Sequence, residues 1–383
     1  MKPASKLPNV GTTIFTVMSR MAVDHDAINL SQGYPDFPVP LELLERLTYY
    51  AARGENQYPP MHGVAYLREQ IAKKLGDCYE ISVDMEDEVT ITSGATEALF
   101  VAIHAIVTTG DEVIVFDPAY DSYEPAITLA GGKTVHLPLM GDNFHVDWVQ
   151  LKHAVNRKTR AIIVNSPHNP TGAVFSKEDL DHLAETVSDT DIIIISDEVY
   201  EHMVFDDKQH QTIAAHPELR DRSFVISSFG KTYHATGWKV GYCIASKYLT
   251  NEFRKIHQFV TFTTHTPTQW AIADFLDNHP EHHQKLSAFY QVKRDLFLGE
   301  MQGLGFGLIP TAGTYFQLAS FEKLSTQKDT DFAEHLTKTV GVAAIPVSVF
   351  YQDPPESKVV RFCFAKEDQT LKEAVGRLRD YFT

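Results

Sequence analysis

The chain has 383 residues, a length that a single hydrophobic core seldom supports, so two domains or one large domain with a smaller companion are expected. Hydrophobic residues make up 43% of the chain and charged residues 22%, which excludes a mainly disordered or fibrous protein. The formal net charge is −16 at pH 7 and the acidic residues are spread along the chain, so we expect no nucleic acid partner.

The N-terminal stretch MKPASKLPNVGTTIFTVMSRMA has no continuous apolar region of the kind found in signal peptides. Nowhere does the chain offer about 18 uninterrupted apolar residues, so we expect no membrane span. The three cysteines, Cys78, Cys243 and Cys363, are far apart and lack CxxC spacing, which argues against a disulfide framework or a zinc site. These features favour a protein of the reducing cytoplasm.

Short β-rich runs alternate with helical stretches through the middle of the chain. The runs EVTITS, DEVIVFD, AIIVNS, DIIIISD, FVISS and VGYCIAS are mostly continuous apolar segments, as expected of strands buried on both faces of a parallel sheet. ATEALFVAIHAIV and SKEDLDHLAETVSD carry apolar residues at helical spacing between them. The alternation predicts a doubly wound α/β domain over residues 41–270.

The character of the sequence changes after residue 270. A helical stretch, PEHHQKLSAFYQVKRDLFLGEMQ, is followed by the strand-like runs GTYFQLASF, VAAIPVSVF and VVRFCFA and then by helical QTLKEAVGRLRDYF. This mixture predicts a smaller α+β domain over residues 271–383. No low-complexity tract or Pro/Gly/Ser-rich linker separates the two parts, so we expect them to pack closely.

Ligands of open α/β sheets bind beyond the carboxyl ends of the strands, so the residues that follow each apolar run are the candidates for chemistry. After EVTITS, residues 93–96 lead into a helix and could direct backbone N–H groups at an anion, although an ordinary capped turn has the same pattern. Tyr120 and Tyr123 follow DEVIVFD, where an aromatic ring either stacks on a flat ligand or packs in the core.

Two further strands end in polar residues. Asn165 and Asn169 lie in the turn NSPHNPTG, where asparagine commonly caps its own backbone. The run of isoleucines in DIIIISDEVY ends at Asp197, just before Glu198 and Tyr200. A carboxylate after so apolar a strand is costly unless it is paired, so Asp197 requires either an arginine of the protein or a protonated ring nitrogen of a ligand. Capping of a following helix is the structural alternative.

The stretch SSFGKTYHATGWKVGY adds Ser228, Lys231 and Lys239 to these candidates. A lysine just past a strand is most often a solvated surface residue, so its neighbours decide its role. Together the candidates match the needs of one cofactor, pyridoxal 5′-phosphate. They offer an anion site, a stacking aromatic ring, donors for a phenolic oxygen, a buried acid and a lysine. The aldehyde of this cofactor condenses with an amine, and its ring nitrogen needs an acidic partner to accept electrons.

The sequence resembles the class I and II aminotransferases of the fold-type I pyridoxal phosphate family, through INLSQGYPDFP, PHNPTG, SDEVY, SSFGKTYHATGWKVGYC and RFCFAK. GTTIFTVMSRMA, NQYPPMHGV, DPAYDSYEPAI and GVAAIPVSVF are most similar to the bacterial methionine aminotransferase branch, near the kynurenine aminotransferases. The resemblance implies an α/β fold, with a mostly parallel seven-stranded sheet in the large domain and a smaller α+β domain. It also implies that residues 1–40 belong to the small domain and form an active-site lid.

The resemblance assigns roles to the candidate residues. Lys231 would bond to the cofactor and act as general acid and base, and Asp197 would keep the ring nitrogen protonated. Tyr200 and Asn169 would hydrogen-bond the phenolic oxygen, while Tyr120 would stack on the ring. The phosphate would be held by the N–H groups of Ala95 and Thr96 and by the side chains of Ser228 and Lys239. Tyr58 would reach the phosphate of the other subunit across a homodimer interface. Family members often have arginine in place of Lys239, which keeps the charge but loses the bidentate geometry.

The resemblance also implies how a substrate is recognised. Arg361, in VVRFCFAK, matches the arginine that binds the α-carboxylate as a planar fork, with Gly33 assisting through its backbone and Asn169 nearby. The side-chain pocket is expected among apolar and aromatic residues: Ile14, Phe15, Tyr34, Tyr58, Phe262 and His265. Such a lining favours methionine and aromatic amino acids over aspartate.

The predicted reaction is a ping-pong transamination between an L-amino acid and a 2-oxo acid. Two alternatives use the same scaffold, a C–S β-lyase acting on cysteine S-conjugates and a kynurenine-type aminotransferase. A DNA-binding regulator is not expected, because the resemblance begins within the first few dozen residues. A dehydrogenase would need GxGxxG between a strand and a helix, which GLGFGLIP does not supply. The histidines of HPEHH are expected to be solvated, and no metal site is predicted.

Overall fold

The computed structural model describes residues 4–383, so the first three residues of the predicted N-terminal segment lie outside it. The described chain contains these strands: β1 (Ile28–Asn29), β2 (Val89–Thr92), β3 (Glu112–Asp117), β4 (Lys133–Pro138), β5 (Thr159–Asn165), β6 (Ile193–Asp197), β7 (Ser223–Ser228), β8 (Gly241–Ala245), β9 (Gly307–Leu308), β10 (Phe316–Ser320), β11 (Val342–Ala343), β12 (Ile345–Pro346) and β13 (Val359–Cys363). Its α-helices are α1 (Ile14–Asp24), α2 (Leu41–Arg53), α3 (Ala65–Tyr79), α4 (Ala95–Ile106), α5 (Tyr123–Ala130), α6 (Trp148–Ala154), α7 (Lys177–Val187), α8 (Phe229–Thr232), α9 (Lys247–Val260), α10 (Thr266–Asn278), α11 (Glu281–Glu300), α12 (Asp329–His335) and α13 (Asp368–Phe382).

Seven strands form one sheet in the order β2-β8-β7-β6-β5-β3-β4. Strands β4, β3, β5, β6 and β7 run parallel to one another, whereas β8 runs antiparallel to both β2 and β7. The predicted mostly parallel seven-stranded sheet is therefore confirmed. Sequence reasoning located β8 but not its direction, because burial on both faces produces the same apolar run in either orientation. It did not single out β4, an edge strand whose sequence KTVHLP alternates polar and apolar residues.

Both faces of the large sheet are covered by apolar side chains. In β5, Ala161 and Ile163 point into one core cluster, which includes residues of α4 and α9. Ile162 and Val164 of the same strand point into the other cluster, which includes residues of α3, α7 and α10. This alternation explains why the predicted strands read as continuous apolar runs rather than as alternating ones.

The carboxyl ends of the strands meet at one edge of the sheet. Asn165, the last residue of β5, lies opposite Asp197, the last residue of β6. Ser228 at the end of β7 lies opposite Gly241 of β8, which in turn lies opposite Thr92 at the end of β2. The polar residues singled out in the sequence are therefore neighbours in space.

A smaller domain is built on the antiparallel sheet β12-β13-β10-β9, covered by α11 and α13. The N-terminal segment packs with it, because Met18 and Leu30 lie in its core and β1 pairs in parallel with β11. The run VAAIPVSVF, predicted as a strand, is divided into β11, β12 and a 3₁₀ turn at Ser348–Phe350. Pro346 ends β12, and proline has no N–H group for a longer ladder.

Helix α10 spans the predicted domain boundary at residue 270. Its residues 271–273, 275 and 276 pack in a core cluster of the large domain, while Leu286 and Tyr290 of α11 pack in the small-domain core. This packing favours a boundary at the connection between α10 and α11, and the predicted limits 41–270 and 271–383 stay a prediction. In residues 4–383, no helix is both long enough and apolar enough to cross a bilayer.

The histidines at the start of α11 are not all solvated, which corrects the prediction for HPEHH. His283 is buried, with Nε2 3.7 Å from Sγ of Cys78 and its ring centroid 4.9 Å from that of His202. The first turn of α11 lies against α3 and the segment after β6, and this contact removes His283 from solvent. Within the described chain, no group of three or more His, Cys, Asp or Glu side chains is arranged to hold a metal ion.

Candidate active site

A cavity of about 250 Å³ opens at the carboxyl edge of the large sheet and is closed on its other side by the small domain. Twelve of the fourteen predicted site residues line it: Phe15, Gly33, Ala95, Thr96, Tyr120, Asn169, Asp197, Tyr200, Ser228, Lys231, Lys239 and Arg361. The fold thus brings together residues that are more than 300 positions apart in the sequence.

The other two predicted residues, Tyr58 and Ile14, do not line this cavity. Tyr58 is 84% exposed, and its ring packs edge-on against that of Phe262, with the centroids 5.6 Å apart. Ile14 packs instead against the small-domain core. Three further residues expected at the side-chain pocket, Tyr34, Phe262 and His265, also lie outside the cavity lining.

One end of the cavity is built to receive an anion. Helix α4 begins at Ala95, and its N-cap, Gly94, has a φ of +82° and no side chain to satisfy the first N–H groups. Lys239 lies directly over this turn, because a Cβ atom on Gly94 would be 3.3 Å from Nζ of Lys239. Ser228 lines the same cavity from the end of β7. A helix N-terminus, a cation and a hydroxyl group together suit a phosphate.

Asp197 has no charged partner within the described chain. Its Oδ2 accepts a hydrogen bond of 2.7 Å from the hydroxyl of Tyr123, and its Oδ1 accepts one of 3.4 Å from the N–H of Val199. Burial raises the pKa of Asp197 to about 6, against the opposing influence of Tyr123. Neither contact is with an arginine. These contacts therefore favour the other partner predicted for Asp197, a protonated ring nitrogen of a ligand.

Lys231 lines the cavity and is held there by two neutral hydrogen-bond partners. Its Nζ donates hydrogen bonds to the hydroxyl of Tyr315 at 2.7 Å and to the carbonyl of Gly33 at 3.2 Å. It lies 5.5 Å from the ring centroid of Tyr200. Burial lowers the pKa of Lys231 to about 8. The uncharged amine, the form that a nucleophile or base requires, is therefore more populated near neutral pH than in an ordinary lysine.

Arg361 is a buried cation with a free hydrogen-bonding group. Nη1 donates to Oδ1 of Asn169 at 2.7 Å and Nη2 donates to the carbonyl of Ser31 at 2.9 Å, so neither partner is charged. Nε is buried without a hydrogen-bond partner in the described chain. Burial lowers the pKa of Arg361 to about 10, and its guanidinium lies 3.8 Å from the ring centroid of Phe316. An incoming carboxylate would satisfy both the charge and the free N–H.

Gly33 is required by close packing at this point. A Cβ atom here would lie 2.6 Å from the ring of Phe316, a distance that side chains do not tolerate. The absence of a side chain lets the backbone approach, and the carbonyl of Gly33 accepts hydrogen bonds from both Lys231 and Tyr315. The predicted backbone role of Gly33 is thus seen in a contact with the lysine.

Three residues of the site were not given a role from the sequence. For Tyr123 the sequence predicts either stacking or core packing, and the hydroxyl donates a hydrogen bond to Asp197. For Asn165 it predicts turn capping, and the side chain donates to the carbonyl of Asp197 at 2.7 Å and accepts from the N–H of Asn169 at 2.8 Å. Tyr315 had no local signal, because its partner Lys231 is 84 positions away.

Comparison with known proteins agrees with this geometry. Residues 25–378 match the family described as Aminotransferase class I and II. The chain belongs to this family. This aminotransferase is 49% identical to the methionine aminotransferase of Escherichia coli (strain K12) over 377 residues, which are 98% of each chain. It is 32% identical to human kynurenine–oxoglutarate transaminase 1 over 413 aligned positions, covering 99% of this chain and 98% of the human one.

A solved structure shows the same fold. The crystal structure of YbdL from Escherichia coli, whose study identified a methionine aminotransferase function, superposes on this aminotransferase with a TM-score of 0.97. The match covers 99% of this chain and 100% of that one, at 49% identity. The fold-type I expectation and the aminotransferase assignment are confirmed.

Proposed function

We propose that this aminotransferase uses pyridoxal 5′-phosphate to transfer the amino group of an L-amino acid, preferably methionine or an aromatic amino acid, to a 2-oxo acid in a ping-pong reaction. The observation that carries this proposal is the meeting in one cavity of Lys231, Asp197 and Arg361, none of which has an oppositely charged hydrogen-bond partner in the described chain. Asp197 and Arg361 are buried, and a buried charge without a partner is costly, so a ligand that brings a cationic nitrogen and a carboxylate accounts for both. The amine of Lys231 would bond to the aldehyde of the cofactor.

The cavity fits the cofactor at both of its polar ends. The N–H groups of Ala95 and Thr96, with Ser228 and Lys239, would hold the phosphate, and the carboxyl of Asp197 would hold the ring nitrogen. Tyr120 lines the same cavity, and its ring would stack on that of the cofactor. When bound, the pyridoxal group supplies an electron sink for the electron pair left at the substrate Cα after that carbon loses a proton.

The reaction then depends on what the protein groups do around that carbon. Lys231, with its lowered pKa, would take the proton from the substrate Cα and deliver it to C4′ of the cofactor. It would therefore act first as general base and then as general acid. The carboxylate of Asp197 would stabilise the positive charge on the ring nitrogen, and the hydroxyl of Tyr123 would keep that carboxylate oriented. Tyr200 and Asn169 line the cavity where they could donate to a phenolic oxygen.

Arg361 would bind the α-carboxylate of the substrate through its free Nε and its terminal nitrogens. Three aromatic rings surround its guanidinium, those of Phe316 at 3.8 Å, Phe15 at 5.4 Å and Phe350 at 5.6 Å. The cavity lining contains no second arginine for the distal carboxylate of an acidic substrate. An uncharged thioether or aromatic side chain is therefore the better match, as in the methionine aminotransferase from Escherichia coli.

A kynurenine-type aminotransferase is the second candidate, because a human relative of that name aligns over 98% of its own length. A C–S β-lyase on the same scaffold would need the same cofactor contacts and differs only in the bond that is broken. The products distinguish the two reactions. Transamination converts the amino acid into the 2-oxo acid with the same side chain, whereas the β-lyase releases pyruvate, ammonia and a thiol from a cysteine S-conjugate.

We also propose a cytoplasmic homodimer in which Tyr58 reaches the anion site of the partner subunit. The exposed aromatic rings of Tyr58, Phe259 and Phe262 support this arrangement, since large apolar side chains exposed together favour a protein contact. The three free cysteines, Cys78, Cys243 and Cys363, support a reducing compartment. The partners are then small amino acids and 2-oxo acids.

The test is an absorbance spectrum of the purified enzyme, recorded before and after addition of L-methionine without any 2-oxo acid. We expect the band of bound pyridoxal phosphate to be replaced by that of pyridoxamine phosphate, with one equivalent of 2-oxo acid released per site. Phenylalanine, kynurenine and a cysteine S-conjugate are compared in parallel. A band that only the S-conjugate alters, with release of pyruvate and ammonia, would replace the transamination proposal by the β-lyase.

A further inference from the structure

We propose that Lys74, Glu201 and Tyr242 form a positioning device for the turn that carries Asp197 and Tyr200, an inference that rests on the proposed function. These three residues lie behind that turn, outside the lining of the catalytic cavity. They would act by fixing where the carboxyl of Asp197 and the ring of Tyr200 point, without contact to cofactor or substrate.

Glu201 is a buried carboxylate with every contact satisfied. Its Oε1 accepts hydrogen bonds from Nζ of Lys74 at 2.7 Å and from the hydroxyl of Tyr242 at 2.9 Å, and its Oε2 accepts one from the hydroxyl of Tyr79 at 2.8 Å. Lys74 also donates to the hydroxyl of Tyr242 at 2.6 Å, which closes a triangle. The side chains of Lys74 and Glu201 are 3% and 5% exposed.

The triangle joins three separate elements of the large domain. Lys74 and Tyr79 come from α3, Tyr242 from β8 and Glu201 from the segment that follows β6. Within β8, Tyr242 lies opposite Ser227, the neighbour of the predicted phosphate ligand Ser228. The device therefore connects the acid end of the cavity with the strand beside its anion end.

The turn itself is short and closely bonded. The N–H of Val199 donates to Oδ1 of Asp197, the N–H of Glu201 donates to the carbonyl of Glu198 at 2.9 Å, and the N–H of Met203 donates to the carbonyl of Tyr200 at 2.8 Å. A displacement of the backbone at Glu201 would therefore be passed to its chain neighbour Tyr200 and, through the turn, to Asp197.

Glu198 fixes the same turn from a different direction. Its Oε1 accepts from Oγ of Ser196 at 2.8 Å and from the N–H of Ile213 at 3.0 Å, and its Oε2 lies 2.8 Å from Nε2 of His210. The turn thus carries three acids in five residues. Two are bonded to the protein on the far side of the turn, and Asp197 alone lines the cavity.

A buried ion pair is an inefficient way to gain stability, because removing two charges from water offsets most of their attraction. An apolar contact between α3 and this turn would stabilise the fold as well. The directional hydrogen bonds of Glu201 do something that an apolar contact cannot, which is to define one orientation of the turn. Positions in a catalytic constellation must be held within a fraction of an ångström.

The test compares Glu201→Gln, which keeps the shape and removes the charge, with two control variants. Lys73→Met changes the residue next to Lys74 on α3 and removes an exposed ion pair with Asp277 of α10. Val187→Ala, at the end of α7, opens a small gap in the apolar core of the large domain and lowers stability without removing a member of the triangle. Three quantities are measured for each protein: the melting temperature, the Kd of pyridoxal phosphate for the cofactor-free protein, and the midpoint pH of the absorbance change of the bound cofactor.

We expect Glu201→Gln to weaken pyridoxal phosphate binding at least about tenfold and to move the midpoint pH, because the orientation of Asp197 changes. Both controls should keep the Kd and the midpoint pH of the wild type, even where Val187→Ala melts earlier. Tyr242→Phe, which removes the two hydrogen bonds of this hydroxyl and no charge, should show the same changes to a smaller extent, and it replaces Glu201→Gln if that variant does not fold.

A Glu201→Gln or Tyr242→Phe protein that melts earlier but binds pyridoxal phosphate with the wild-type Kd and midpoint pH would overturn the inference and leave a structural ion pair. Pyridoxal phosphate binding by the wild type is measured first. Its absence there would overturn the proposed function together with this inference, so the two failures are distinguishable.

Discussion

The hydroxyl of Tyr123 offers a sharp test of how the protein sets the acidity of Asp197. The substitution Tyr123→Phe removes only the oxygen that donates to Oδ2 of Asp197 at 2.7 Å and leaves the buried ring in place. The carboxyl then keeps a single long bond, the 3.4 Å contact with the N–H of Val199. Its ionised form loses its strongest hydrogen bond in the described chain.

The size of the effect follows from the energy of that bond. A hydrogen bond to an ionised group contributes about 1.5–3 kcal/mol, and one pKa unit corresponds to about 1.4 kcal/mol. The pKa of Asp197, about 6 in the cofactor-free protein, should therefore rise by about one to two units. At pH 7 the ionised fraction would fall from about nine tenths to about one half or less.

The assay is the pH dependence of pyridoxal phosphate binding to the cofactor-free protein. Binding that requires the carboxylate of Asp197 weakens as the pH falls through the pKa of this group. We expect the midpoint of this decrease to lie about one to two pH units higher in Tyr123→Phe than in the wild type. Tyr66→Phe is the matched control, because the hydroxyl of Tyr66 donates to Asp277 at 3.0 Å, away from the cavity. Equal midpoints in Tyr123→Phe and Tyr66→Phe would refute the reasoning.

Three other substitutions test separate parts of the structure. Lys231→Ala should abolish turnover, measured as 2-oxo acid formed, while circular dichroism shows an intact fold; near-normal turnover would contradict the assignment. Arg361→Lys removes the planar fork, so steady-state kinetics should show a KM for L-methionine raised at least about tenfold with a smaller change in kcat. Burial lowers the pKa of His136, but its hydrogen bond to Asp117 and the negative charges of Asp117, Glu124 and Asp353 together outweigh this, and the pKa is raised. The resulting stability is complete below about pH 6.5 and is lost as the pH rises through the folded pKa, so melting curves of wild type and His136→Asn should converge at high pH.

Much of the fold and part of the site could be predicted because their signals are local. The apolar runs located strands β2, β3, β5, β6, β7 and β8, and the rule that ligands bind at strand ends then pointed to Asp197 and Ser228. The gathering of these residues follows from the parallel order of the strands alone, since parallel strands end at the same edge.

The contacts that were missed join residues that are distant in the sequence. Nothing near Tyr315 indicates that it meets Lys231, and nothing near Asn169 indicates that it meets Arg361, 192 positions away. The position of Tyr58 and the burial of His283 depend likewise on surfaces that a single stretch of sequence does not describe. Such contacts are fixed by how the two domains pack, which periodicity and turn chemistry do not determine.

Two sets of charged side chains lie on opposite sides of the turn after β6, and they differ in their partners. Lys74 and Glu201 satisfy each other on the far side of the turn after β6, so their charges need nothing from outside the chain. Asp197, Lys231 and Arg361 face the cavity and have only neutral hydrogen-bond partners in the described chain. A buried charge without a charged partner is costly, and a ligand with a cationic ring nitrogen and a substrate carboxylate would pair Asp197 and Arg361, while an electrophilic carbon would bond to the amine of Lys231. Two acids of this turn, Glu198 and Glu201, therefore hold its shape, and the third, Asp197, is available for chemistry.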